Sequence, residues 1–232
     1  MARVFAGLLL LAGLAPTARA EAVWPVETAR EVFDFCVTPE LGLEDRDNIL
    51  RNAGWVPFEP VAPHERGNGP WDARDPADLA ILGIVVSFPY LGFDHDEKMF
   101  REAFEAHVMT SGSMKSWTFR SDARTYLRDG RLLSLGPMTR SNRKANGRWR
   151  VQCLFIAPAD ADSTELRVLP GKLIDTPGTR FLLDMREVEG FKGLADEFIG
   201  SVIIAKGKML SRFMESDLPD IVTFKTNLIF AE

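Results

Sequence analysis

The two cysteines are the residues whose possible chemistry the sequence restricts most. Cys36 and Cys153 are the only cysteines among 232 residues, so a single intrachain disulfide is open to them. A dithiol redox centre favours a Cys-x-x-Cys pair, which is absent, and a structural zinc site needs three or four clustered Cys and His ligands. Neither cysteine has a histidine nearby in the sequence. We therefore predict a structural disulfide, with two free buried thiols as the alternative.

The spacing of apolar residues around each cysteine predicts that both face a protein core. Residues around Cys36 follow the i, i+3, i+4, i+7 spacing of one helix face, and those around Cys153 alternate as on one side of a strand. Packing the helical stripe against the strand face brings the two sulfurs together. Closing a loop of about 118 residues stabilises a fold by about 4–5 kcal/mol on the chain-entropy model. The stripe comprises Ala29, Val32, Phe33 and Cys36, and the strand face Trp149, Val151, Cys153 and Phe155.

Histidines and serines lack the spacing of known catalytic motifs. His95 and His107 lie twelve residues apart, not four as in a His-Glu-x-x-His metal motif, and His64 falls in a polar loop. The chain contains no Gly-x-Ser-x-Gly, Walker or Gly-x-Gly-x-x-Gly motif. We therefore assign no catalytic residue, metal site or cofactor. A hydrolase with a dispersed carboxylate or histidine site remains the alternative, because a glycosidase needs only two carboxylates brought together by the fold.

Basic residues are concentrated in one part of an acidic chain. Residues 106–159 contain ten Lys or Arg residues and two acids, although the whole chain has a net charge of −5. This basic region either docks on acidic helices of the same chain or binds an anionic ligand or envelope protein. Nucleic acid is a poor match for an exported acidic chain. The binding interpretation assigns Arg140, Arg143, Lys144, Arg148 and Arg150 as contacts.

Residues 1–20 have the layout of a cleaved signal peptide. Arg3 precedes an apolar run from Val4 to Leu14, and a small-x-small cleavage site ends at Ala20. Eleven apolar residues are too few to cross a bilayer, which takes about 20. We therefore expect a periplasmic or secreted mature protein, residues 21–232, that forms one domain and has no transmembrane segment.

Helical and stranded patterns occupy different parts of the chain. The extended segment 55–63 contains Pro57 and Pro60, which confine it to a sheet edge or a loop. Asp129-Gly130 is a favoured two-residue hairpin turn. Helices are predicted at 25–37, 38–54 with Thr38 as its cap, 75–89, 94–109, 162–169 and 193–214, and strands at 115–120, 124–135 as a hairpin, 147–155, 179–188 and 221–230.

Helices first and strands later predict an α+β fold. We expect a single domain in which N-terminal helices pack on a mostly antiparallel sheet formed by the second half, with a helix-to-strand disulfide. The missing catalytic motifs and the segregated charge favour a non-enzymatic binding or accessory protein of the periplasm that engages an anionic partner through its basic strand-loop region. The hydrolase described above is the alternative.

Overall fold

A computed structural model describes residues 25–38, 41–86, 102, 123–137, 149–159, 172–175, 179–183 and 198–230. The helices are α1 Ala29–Val37, α2 Leu43–Asn52, α3 Pro76–Val86 and α4 Gly207–Met214, with a 3-10 turn at Pro63–Glu65. The strands are β1 Val56–Phe58, β2 Arg124–Arg128, β3 Arg131–Pro137, β4 Trp149–Pro158, β5 Lys172–Asp175, β6 Thr179–Leu183, β7 Phe198–Ala205 and β8 Ile221–Phe230.

The strands form one antiparallel sheet in the order β1-β2-β3-β4-β8-β7-β6-β5. The two longest strands, β4 and β8, lie side by side in the middle, and their register pairs Cys153 with Thr226. Strand β1 lies at one edge, where Pro57 is tolerated because an edge strand needs hydrogen bonds on one side only. The predicted α+β fold, with N-terminal helices on an antiparallel sheet, is confirmed, and β1 adds a strand from the first half of the chain.

Helices cover both faces of the sheet. On one face, Phe33 of α1 contacts Phe224 of β8 edge-to-face at 5.3 Å between ring centroids, and Phe224 stacks on Phe155 of β4 at 4.9 Å. On the other face, α3 and α4 pack on apolar residues of β3, β4 and β8. Helix α3 comes very close to β4, because a Cβ at Gly83 would lie 1.9 Å from Cδ1 of Ile156. The core therefore has two layers, one on each side of the sheet.

The predicted disulfide is confirmed. Cys36 of α1 and Cys153 of β4 are bridged, with their Cα atoms 5.9 Å apart and 117 positions apart in the sequence. Both residues lie in the core layer that contains α1 and α2. Helix α1 begins at a capping box, in which Thr28 and Glu31 satisfy each other's backbone N–H groups. This fixed start places the stripe that contains Cys36 against the sheet.

The predicted start of the second helix at Thr38 is wrong. Thr38 ends α1 instead, and its hydroxyl donates to the carbonyl of Asp34 at 2.8 Å. Helix α2 begins after Gly42, whose N–H donates to Asp45 at 3.2 Å. The cause lies outside the helix-capping pattern, since Arg46 binds the carbonyl oxygens of Phe35 and Thr38 and holds the turn between the helices.

The single helix predicted over residues 193–214 is also wrong. Its described part is strand β7, Phe198–Ala205, followed by helix α4, Gly207–Met214. The consecutive β-branched residues from Val202 to Ile204 favour a strand, although apolar residues around them also satisfy a helical period. Gly207 allows the chain at Leu218 to pass close to the start of α4, because a Cβ at Gly207 would lie 2.2 Å from the carbonyl oxygen of Leu218.

Other predicted elements are confirmed where the structure describes them. The hairpin turns at Asp129 and Gly130, whose φ angles of 49° and 70° fit a two-residue turn with both central residues left-handed. Helix α3 begins at Pro76, and β6 and β8 occupy their predicted segments. The signal peptide, most of the helix at 94–109, the strand at 115–120 and the helix at 162–169 lie outside the described residues. Among the described helices, none has the length and hydropathy to cross a membrane.

Candidate functional site

The hairpin β2–β3 carries three arginines of the basic region, and all three contact the first helices or the segment before them. Arg124 pairs with Asp47 of α2 at 2.6 Å, and Arg128 pairs with Glu27 at 3.2 Å. Arg131 donates to the backbone carbonyl of Glu27. The interpretation in which the basic region docks on acidic helices of the same chain therefore describes this hairpin.

Asp47 is the centre of the docking contact between α2 and β2. Its carboxylate accepts hydrogen bonds from the Tyr126 hydroxyl, from Arg51 at 2.8 Å and from Arg124 at 2.6 Å. Burial alone would raise the pKa of Asp47, but these three donors outweigh burial and hold it below its usual value of 3.8. Burial also raises the pKa of Tyr126 to about 12, and the bond to Asp47 adds to that shift. This cluster joins α2 to β2 through a carboxylate that accepts three hydrogen bonds.

All five predicted contact residues follow the hairpin along the chain. We call residues 138–150 the basic connection; it contains Arg140, Arg143, Lys144, Arg148 and Arg150 and no acidic residue. The first four of these lie outside the described residues, and Arg150 is placed by its backbone in β4, where it pairs with Ile229. Pro137 and Val151 are register partners, so the basic connection leaves β3 and returns to β4 at one end of the sheet. The two ends of this segment are thus held on β3 and β4, the third and fourth strands from the β1 edge.

A further cation, which the sequence reading missed, lies on the central strand β8. Lys225 is partly buried and pairs in register with Leu154 of β4 and Ser201 of β7. Burial lowers its pKa, because removal from water disfavours the charged ammonium. Thr223, two positions earlier on the same face of β8, is 2% exposed. A lysine inside a strand that has no other charged residue is the sequence signal that could have identified this position.

The polar loop at residues 64–76 is organised around one ion pair. Arg66 makes two bonds to Asp78 near the start of α3, at 2.6 and 3.0 Å. Its guanidinium also lies 3.7 Å from the centre of the Trp71 ring and donates to the carbonyl oxygens of Gly67, Gly69 and Pro70. Every direction of the guanidinium fork is used, so Arg66 orders the loop.

The structure describes one of the three histidines considered for the alternative hydrolase site. His64 is exposed in the 3-10 turn, while His95 and His107 lie outside the described residues. In the part of the chain that the structure describes, no three His, Cys, Asp or Glu side chains are grouped for metal binding.

The fold and these clusters define an α+β protein with helices on both faces of an antiparallel sheet and one helix-to-strand bridge. Comparison with known family models, curated proteins and solved structures found no match to this chain.

Proposed function

We propose that this chain is an exported, periplasmic protein of non-enzymatic binding or accessory type, which engages an anionic ligand or envelope partner through the basic connection. The observation that carries this proposal is the charge of the basic connection, five basic residues and no acid within residues 138–150. Such a density of one charge attracts anions and speeds their encounter.

The basic region has two parts with different partners, and this division supports a binding role for the basic connection. The hairpin arginines Arg124 and Arg128 are paired with acids of the helical half. Contacts within the chain therefore explain why the hairpin is basic. The basic connection begins where that docking ends, and its two ends are held by paired strands of the sheet. A binding segment mounted on a rigid sheet is a common arrangement, because the scaffold positions the loop while the loop contacts the partner.

The bridge supports the exported location. Disulfides form and persist in oxidising compartments such as the bacterial periplasm and are rare in the reducing cytosol. Cys36 and Cys153 are joined although 117 positions separate them in sequence. The signal-peptide pattern at residues 1–20 is the route to such a compartment.

The test compares two variants with equal loss of charge. One changes Arg143, Lys144, Arg148 and Arg150 to Ala; the matched control changes Arg30, Arg74, Lys208 and Arg212 to Ala. Binding of each to vesicles rich in phosphatidylglycerol, to heparin and to inorganic phosphate is measured at low and high salt. We expect the first variant to lose about tenfold in affinity for the bound probe, and the control to change less than about twofold.

Each probe represents one source of anion, so the probe that binds identifies the class of ligand. Wild-type binding must also weaken as salt rises, because exposed charges are screened. Equal losses in the two variants would show that net charge, and not the basic connection, governs binding. Unchanged binding after substitution of the basic connection would contradict the proposal directly.

A further inference from the structure

The disulfide lies where external sulfur compounds have almost no access in the folded protein. Cys36 is 1% exposed and Cys153 is 0% exposed. Cys153 is flanked in the sheet by Leu135 of β3 and Thr226 of β8, which are both fully buried. Phe33 of α1 belongs to the same core layer as the two cysteines. The folded core therefore offers no exposed sulfur surface for a third sulfur atom to approach.

Formation of the bridge by thiol–disulfide exchange nevertheless requires such an approach. In the first step, the thiolate of one cysteine attacks an external disulfide, forms a mixed disulfide and releases one thiolate of the oxidant. In the second step, the thiolate of the other cysteine attacks the mixed disulfide and releases the second oxidant thiolate. The two cysteine thiols lose two protons and two electrons, and the external disulfide is reduced to two thiols. The mixed disulfide places an additional sulfur and its substituent beside Cys36 or Cys153.

We propose that an external disulfide, carried by a thiol oxidoreductase or a small molecule, closes the Cys36–Cys153 bridge while α1 and β4 are still unpacked. The close-packed core cannot hold the mixed disulfide, because protein interiors leave few voids larger than a water molecule. Oxidation therefore precedes the final packing of α1 on the sheet. Once packed, the protein protects its bridge from reductants as well.

The cysteine count also shows that the oxidant does not need to correct wrongly paired disulfides. A chain with two cysteines has one possible intrachain pairing, so no wrongly paired isomer exists to be corrected. The partner class is thus an oxidant of unfolded chains, and disulfide isomerisation is not required. This inference is independent of the ligand proposed for the basic connection, and it holds for the purified chain alone.

The first experiment measures how fast dithiothreitol reduces the purified, oxidised chain with and without denaturing urea. Free thiols are alkylated at intervals and counted by mass. We expect native reduction to be at least about a thousandfold slower, because it waits for rare opening of the core. A native rate within about tenfold of the denatured rate would overturn the proposal.

The second experiment varies the time of oxidant addition during refolding. The reduced, denatured chain is diluted into buffer, and oxidised glutathione is added at once or after a delay. We expect prompt addition to close the bridge rapidly, and closure to slow once circular dichroism shows folding. A reduced chain that stays unfolded until oxidised also supports the proposal, since closure then precedes packing. Oxidation of the folded, reduced chain at the rate of the denatured chain overturns it.

A control variant shows that the reagents work under native conditions. Val56→Cys is introduced on the edge strand β1, and the native bridge is kept oxidised. Val56 is 54% exposed, so its replacement thiol must form a mixed disulfide with glutathione at the rate of a small free thiol. Rapid reaction of this thiol under conditions in which the native bridge is protected assigns the protection to burial of the bridge.

Discussion

The hydroxyl of Tyr126 on β2 donates a hydrogen bond to the carboxylate of Asp47 on α2, and this contact ties the helical half of the chain to the sheet. Tyr126 is 1% exposed. Arg124, two positions before Tyr126 on the same strand, reaches the other carboxylate oxygen. One carboxylate of α2 thereby contacts two side chains of β2.

Replacement of Tyr126 by Phe tests the contribution of this hydroxyl. The ring stays in the core, but the carboxylate of Asp47 loses one of its three donors. A hydrogen bond to a charged group contributes about 1.5–3 kcal/mol, so we expect the free energy of unfolding to fall by about 2 kcal/mol in urea denaturation. Arg51→Met is the control, because Arg51 pairs with Asp47 from an exposed position on the same helix. A loss for Arg51→Met as large as that for Tyr126→Phe would contradict this ranking.

The lowered pKa of Asp47 predicts how stability depends on acid. The folded-state pKa lies below the usual value of 3.8, so the carboxylate stabilises the fold above pH 3.8 and loses that contribution as pH falls through its folded pKa. We expect Asp47→Asn to be less stable than the wild type at neutral pH. The difference should shrink once the pH falls below 3.8. Urea denaturation of both proteins across this range measures it, and a constant difference would show that Asp47 does not titrate as stated.

Local sequence patterns predicted the elements whose side chains obey one period throughout. The stripe of α1 and the alternation of β4 each contain a cysteine, and the bridge joins them as expected. The turn at Asp129 and Gly130 follows from the left-handed backbone that these residues tolerate. In these segments, the backbone preference of each residue and the burial of apolar side chains favour the same structure. The sequence pattern is therefore sufficient to predict the element.

Patterns failed where a contact outside the helical or strand period decides the local structure. Thr38 is a good helix cap by residue type, yet Arg46 and the end of α1 determine its role. Residues around Val202 satisfy a helical period, and pairing with β6 and β8 makes them a strand. Arg51 lies four positions from Asp47, but its other two partners, Arg124 and Tyr126, lie 77 and 79 positions away. No spacing rule could have joined these two residues to Asp47.

Arg46 provides a test of the turn between α1 and α2. This side chain is 0% exposed and binds the carbonyl oxygens of Phe35, Thr38 and Leu41. Its charge also favours the carbonyl end of α1. We expect Arg46→Met to lower the free energy of unfolding by about 2–4 kcal/mol, since one buried and two partly buried carbonyl groups lose a charged donor.

The conservative variant Arg46→Lys separates charge from geometry. Lysine keeps the positive charge but cannot reproduce the planar fork of guanidinium donors. We expect it to recover less than half of the stability lost in Arg46→Met, as measured by urea denaturation. Full recovery would show that the charge alone, and not the three separate hydrogen bonds, stabilises the turn.

Thr226 on β8 offers the opposite prediction, a substitution that stabilises the protein. Thr226 is 0% exposed, and its hydroxyl has no hydrogen-bond partner among the residues that the structure describes. A buried hydroxyl without a partner costs about 1–3 kcal/mol, and valine has nearly the same shape. We therefore expect Thr226→Val to raise the free energy of unfolding by about 1 kcal/mol.

The matched control is Thr125→Val, since the Thr125 hydroxyl donates to Ser134 at 3.3 Å and both residues are buried. That variant should be less stable than the wild type, because Ser134 loses its donor. If both variants shift stability in the same direction, hydroxyl pairing does not govern these sites.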